Sequence, residues 1–269
     1  MDAGASCAIT IIPGSTPTSD GTNPCSSGTA PLPGLVQVSA DNAATVSSDV
    51  VILNYGCIYQ GGYAYAFDDT TPNTQSIGGQ VATTTDQAPV PNGVIWSSIG
   101  SGPAFDAIFG ISELSTVSSP DPSASSVSGQ AACNGSADGA CNTNNIYAYY
   151  QSDAPNSPIN VSYYTAGLCK QTISGYSDWF LPAICQLGYG SGGVCGASSA
   201  PAQQNMQSDL VDSNTPGAPT GYYWSSTESS SLPQATAWVQ YFSAAGGSSQ
   251  LYNSKGTLLG VHCSRALSH

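Results

Sequence analysis

The sequence predicts an α+β fold built from short helices, long loops and closing antiparallel strands. Three observations carry this. Stretches with helical apolar spacing are few and short. Runs rich in Gly, Pro, Ser and Thr separate them over long distances. The last fifty residues carry β-rich segments in hairpin order.

Residues 1–34 hold only Asp2 and Asp20 as charges and are bracketed by Cys7 and Cys25, so they read as a stapled loop or the remnant of a preceding module. A short strand at Ile9 to Ile12 is the one element expected there. Residues 35–269 read as a single domain. Leu35 to Ser39 and Asp49 to Leu53 are expected strands about the turn signal Asp41-Asn42. Cys57 to Phe67 alternates around Gly61-Gly62 as a hairpin or bulged strand, and Val94 to Ser97 is a further strand. Pro103 to Leu114 places Phe105, Ile108, Phe109 and Leu114 at near-helical spacing, which predicts a short helix. Ser118 to Asn145 reads as loop held by Cys133 and Cys141. Tyr163 to Ile173 and Ala202 to Val211 are two more expected helices. Trp224, Ala235 to Phe242, Gln250 to Tyr252 and Leu258 to Ala266 supply the closing strands.

Only 7% of the 269 residues are charged, and three cations face sixteen acids for a net charge of −13. Such a chain lacks the cationic contacts that hold nucleic acid, and anionic membranes should repel it. No apolar run approaches the roughly 18 residues that span a bilayer. Met1-Asp2-Ala3 has neither the basic nor the apolar region of a signal peptide, as expected of a mature fragment given a start Met. Nine cysteines without a C-x-x-C pair argue for an oxidising compartment, hence a secreted or cell-surface protein. Proximity suggests the pairs Cys133–Cys141, Cys185–Cys195 and Cys7–Cys25. Cys57 is then left over, either buried and unpaired or a sign of another pairing scheme.

Catalytic motifs are scarce. The chain holds no G-x-S-x-G, P-loop or H-E-x-x-H segment. His262 abuts Cys263, so on a strand the two side chains point to opposite faces and cannot form a Cys–His pair. A non-enzymatic protein is expected. Asp68, Asp69 and Asp138 lie in loop-like polar stretches and offer oxygen ligands for calcium or another divalent cation, without the spacing of an EF-hand. Trp96, Trp179, Trp224 and Trp238 each sit in an apolar pattern and are expected in the core.

Four segments recur in a fixed order: Gly175 to Pro182 (GYSDWFLP), Tyr223 to Glu228 (YWSSTE), Ala237 to Phe242 (AWVQYF) and Val261 to Ala266 (VHCSRA). With Gly56 to Gly62, Phe67 to Asp69 and Val94 to Ser97, this order resembles the C-terminal domain family of the Legionella collagen-like protein, formerly a domain of unknown function. The resemblance spans Gly56 to Leu267. It implies a C-type-lectin-like fold, in which a disulfide ties an early helix to the last strand; Cys169 and Cys263 fit those places. It implies an extracellular bacterial adhesin-type module that binds carbohydrate, with divalent-cation-dependent aggregation and possible trimers. Lectin-like folds present ligands in the closing hairpin region, which makes Tyr222, Tyr223, Glu228, Gln250, Tyr252 and Asn253 the candidate sugar contacts. The chain departs from the family in lacking a collagen repeat and in its acidic surface. A charge-poor, disulfide-rich chain suits a self-assembling surface or filament subunit equally well, so the expected partners are glycans or copies of the protein itself.

Overall fold

The computed structural model describes residues 25, 28–40, 43–67, 78–97, 105–152, 158–190, 194–244 and 247–268. Cys7, the Ile9–Ile12 segment, the Asp41-Asn42 turn, and Asp68 and Asp69 lie outside the described residues. The architecture is α+β. Strands β1 (Gly34–Ala40) and β2 (Ala43–Val50) form a separate antiparallel pair that leaves Leu35, Val38 and Val46 exposed. β3 (Ile58–Tyr59), β4 (Gly62–Ala66), β5 (Gln80–Thr83) and β11 (Ser264–Ala266) make a four-stranded sheet in the order β11-β5-β4-β3. β8 (Gly221–Glu228), β9 (Thr236–Phe242) and β10 (Ser249–Ser254) make a second sheet in the order β10-β9-β8. A small ribbon joins β6 (Gly196–Ala197) to β7 (Ala200–Pro201). The helices are α1 (Gly139–Ser152), α2 (Thr165–Cys169) and α3 (Ile184–Leu187), with a 3₁₀ turn at Val161–Tyr163 and a π-helical turn at Gln207–Val211. Among the described residues, no helix is long and apolar enough to cross a membrane.

The longest helix is one the apolar pattern does not show. α1 occupies the end of the stretch expected to be loop, and its sequence GACNTNNIYAYYQS buries amides and a hydroxyl. Asn142, Thr143 and Asn145 are at most 1% exposed. Asn142 Nδ2 donates to Gly135 O (2.7 Å), Thr143 Oγ1 accepts from Leu181 N–H (2.9 Å), and Asn145 Nδ2 donates to Ala131 O (2.7 Å). The irregular segments around α1 carry backbone groups that need partners, and this face supplies them. Asp138 starts the helix, its Oδ1 accepting the Cys141 N–H at 2.9 Å, as an N-cap carboxylate does. Asp138 is 1% exposed and caps a helix in the interior, where a loop was expected.

The helix expected over Pro103 to Leu114 is absent from its described part, 105–114. Ile108 and Ile111 are buried there while Leu114 is 69% exposed. Their backbone bonds run to Glu228: Ile108 N–H donates to its carboxylate, and Ile111 O accepts its N–H at 3.1 Å. Val94 to Ser97 makes only an isolated bridge, Val94 to Leu259, where a strand was expected. The Tyr163–Ile173 region shortens to the 3₁₀ turn and α2, and Ala202–Val211 to the π-helical turn.

The core holds Trp96, Trp179 and Trp224 at 0% exposure, while Trp238 is half-buried against Ile184, Cys185 and Cys195. Four disulfides join described residues: Cys25–Cys57, Cys133–Cys141, Cys169–Cys263 and Cys185–Cys195. The first corrects both the Cys7–Cys25 pairing and the leftover status of Cys57.

Asp209, in the π-helical turn, gives a pH-dependent term. Burial raises its pKa to about 6 against the ordinary 3.8, the Asn205 N–H bond at 3.0 Å lowers it, and Asp212 raises it. A raised folded pKa means stability present at acid pH that is lost as pH climbs from 3.8 through about 6. Asp209→Asn keeps an acceptor for Asn205 and removes the charge. Discounted for the partly exposed site, the variant should exceed the parent by about 1 kcal/mol at pH 7.5 and match it near pH 3. Urea denaturation at both pH values checks this; an equal gap at both would refute the assignment.

Candidate functional site

The six residues expected to form one ligand surface do not converge. Tyr222 pairs across the ladder with Tyr241, and their rings lie 4.5 Å apart. Tyr252 pairs with Trp238, ring to ring at 5.8 Å. Trp238 and Tyr241 are three residues apart on β9, so these two aromatic pairs lie on opposite faces of the sheet. Gln250 Nε2 is engaged by Gly188 O (3.0 Å) and Gln240 Oε1 (3.1 Å). Asn253 Oδ1 accepts from Ser254 N–H (2.8 Å) and Thr257 Oγ1 (3.1 Å), closing a turn. Glu228 is at 0% exposure, paired with Lys255. Its burial corrects any contact with a ligand at the surface.

Tyr223 leads to a different place. It sits on β8 at 3% exposure and bridges Gly260, where the segment after β10 runs along the seam of the two larger sheets. That segment continues through Val261, bridged to Ala88, and His262 into β11. Asp86 follows β5 and reaches the same seam. Tyr223 Oη donates to Asp86 Oδ2 at 2.9 Å, and Asp86 Oδ1 lies 2.9 Å from His262 Nδ1. An ionised carboxylate only accepts, so Nδ1 carries a proton and Nε2 of a neutral ring is an acceptor. Nε2 is buried and has no hydrogen-bond partner among the described residues. Burial first, then the charge of Asp86, pushes the Tyr223 pKa well up, which keeps its hydroxyl a donor.

These three side chains line a cleft of about 450 Å³ whose other walls include Thr84, Thr85 and Thr220. The far wall is the neutral run Gly217-Ala218-Pro219. Gly217 holds φ +84°, and a Cβ there would meet the Tyr63 ring at 2.2 Å, so only glycine lets this wall close on β4. The cleft volume falls in the ordinary small-ligand range of roughly 300–1,000 Å³. Its polar groups alternate acceptors with hydroxyls that both donate and accept. No cation projects into it among the residues that line it.

Among the described residues, no group of three or more His, Cys, Asp or Glu side chains is placed to hold a metal ion. No family model, curated protein or solved structure matches this chain. The functional reading therefore rests on the residues themselves.

Sequence reasoning considered His262 only against its neighbour Cys263, which is engaged in a disulfide with Cys169. Asp86 stands 176 residues away in the chain and carries no local motif. The signal that could have pointed to the pair was scarcity: the chain has two histidines, and His262 is the one within an apolar strand pattern.

Proposed function

We propose that this protein is an extracellular carbohydrate-binding module of adhesin type, and that the Asp86–His262–Tyr223 cleft receives a neutral sugar. The observation that carries the reading is the network at the cleft floor. A sugar hydroxyl is both donor and acceptor, and it matches a surface where the Asp86 carboxylate, held from within by His262 and Tyr223, stands beside the hydroxyls of Thr84, Thr85 and Thr220. Short-range bonds of this kind need no net attraction, which suits a partner of a chain with charge −13.

We also place the chain with the C-type-lectin-like domains and the collagen-like protein's C-terminal family. The Cys169–Cys263 bond between α2 and the segment entering β11 supports this, as does the meeting of the GYSDW and VHCSRA segments, where Phe180 N–H donates to Ser264 O at 2.8 Å. Four disulfides support an oxidising, extracellular location.

A glycan array, with and without calcium, tests the proposal. Neutral glycans should bind with little dependence on salt. Ala218→Trp, a change on an exposed wall residue, should abolish that binding without altering the melting temperature, and Asp86→Asn should weaken it at least tenfold. Binding that survives Ala218→Trp would move the site elsewhere; no glycan binding at all would defeat the carbohydrate reading. Heparin makes a second check. Lys255 is wholly buried and Arg265 is 3% exposed, which leaves little cationic surface for a polyanion. Retention on heparin should be weak in chelator and rise with calcium, through bridging between acids and sulfates. Tight, salt-sensitive retention in chelator would overturn this expectation.

A further inference from the structure

A second concavity, of about 170 Å³, lies on another part of the surface, between α1, α2 and the GYSDW segment. It is lined by Lys170, Asn144, Asp178, Ala140 and Ala266, with Trp179 and Phe180 behind. The chain has three cations. Lys255 is sealed in the core, and the other two meet at this pocket: Lys170 lines it, and Arg265 holds its Asp178 from behind.

The two charged groups facing the pocket differ in how far they are satisfied. Arg265 bonds through all three nitrogens: Nε to Asp178 Oδ1 (2.5 Å), Nη1 to Gln60 Oε1 (2.8 Å) and Nη2 to Ser268 Oγ (2.9 Å), and the guanidinium lies 4.0 Å over the Tyr176 ring. Asp178 keeps its second oxygen without a partner among the described residues, and its side chain is 55% exposed. Lys170 Nζ donates to the neutral Asn144 Oδ1 at 2.5 Å and has no ion pair among the described residues. Its other two N–H groups have no described acceptor. The pocket thus presents one ammonium at the end of α2, beside the disulfide-bonded Cys169, and one carboxylate oxygen in the loop that Arg265 of β11 holds.

We infer that this pocket binds a small zwitterion of the amino-acid class, its carboxylate on Lys170 and its ammonium on Asp178. A simple anion would meet Asp178 and the acidic field of the whole chain; a simple cation would meet Lys170. A zwitterion satisfies both at once. The concavity, of about 170 Å³, suits an amino acid with a small side chain. Partial burial lowers the Lys170 pKa, and nearby Asp178 raises it back, so an added carboxylate favours the charged form.

NMR titration of the full chain with L-alanine tests this, alongside acetate, methylammonium and lactose as separate probes. L-alanine should perturb the resonances of Asn144, Lys170 and Asp178 and bind at least tenfold tighter than acetate or methylammonium. Lys170→Met should lose at least tenfold in affinity with little change in melting temperature, because Lys170 bonds a neutral amide and otherwise makes only a long 5.9 Å contact with the Tyr147 ring; Lys170→Arg should recover much of the affinity. Asp178→Asn should weaken L-alanine and leave acetate unchanged or improved. Equal binding of acetate and L-alanine would overturn the proposal, as would an indifferent Lys170→Met or a preference for lactose. Ala218→Trp, in the other cleft, should leave L-alanine binding intact, which separates this site from the carbohydrate reading.

Discussion

Lys255→Met should destabilise the protein by about 3–5 kcal/mol at pH 8, the usual cost of stranding one member of a buried ion pair. Lys255 Nζ lies 2.5 Å from Glu228 Oε1 and donates to Asp106 O at 2.8 Å, and both side chains are at 0% exposure. The ammonium also lies 4.3 Å from the centre of the Trp96 ring. Glu228 takes the Ile108 N–H on both oxygens at 3.1 Å, so the pair fixes the 105–114 segment to the end of β8. Burial raises the Glu228 pKa and Lys255 pulls it back down. Without Lys255 the carboxyl should rise further and take up a proton on folding. The folded state then binds more protons than the unfolded one, so the variant loses stability as pH rises and suffers least in acid. Glu228→Gln combined with Lys255→Met should recover most of the loss, since neither charge remains stranded. Urea denaturation of parent, single and double variants at pH 5 and 8 measures this. A single variant within 1 kcal/mol of the parent at pH 8, or a double variant no better than the single, would show that the pair is not what holds this corner.

Replacing Cys169 and Cys263 together by Ser should cost about 4–5 kcal/mol, more than loss of any other of the four described disulfides. The two cysteines are 94 residues apart, against 32, 10 and 8 for the other bonds. In the chain-entropy account the released freedom of the unfolded chain grows with the logarithm of loop length, so the 8-residue loop should cost only about 2–3 kcal/mol. The Cys169–Cys263 bond also touches function. Cys263 is adjacent to His262, and its carbonyl accepts the Thr83 N–H at 2.9 Å at the head of the loop that carries Asp86. The double Ser variant should therefore weaken glycan binding at temperatures where it is still folded. Denaturation of the four double-Ser variants gives the order. If the Cys133–Cys141 pair costs as much as Cys169–Cys263, native-state strain rather than loop entropy decides the ranking.

The sequence by itself determined the class and the places of several strands, although β2 was expected at Asp49 to Leu53 and lies at Ala43–Val50, and β5 to β7 were not expected. β-branched and aromatic alternation marks β1, the hairpin about Gly61-Gly62, β9 and β10, because strand periodicity is a local property that the neighbours preserve, whereas β8 was expected only at Trp224 and runs over Gly221–Glu228. It also determined that Trp96, Trp179 and Trp224 are interior, since nothing offsets the exposure of so large an apolar surface. Tertiary structure alone decided the rest. α1 was hidden because its buried face mixes Asn142, Thr143 and Asn145 with Cys141, Ile146 and Tyr150, and the amides are recognisable as interior only once the loops whose carbonyls they bond are in position. Phe105 to Leu114 has helical spacing yet gives its backbone bonds to Glu228, a competition that apolar periodicity cannot register. Cys25 joins Cys57 because the chain brings their Cα atoms within 4.8 Å, not because they are near in sequence. Asp86, Tyr223 and His262 come from three separate segments and meet only where the two sheets join. A hydrogen bond depends on where atoms stand in space, and sequence separation says nothing about it when loops of this length intervene.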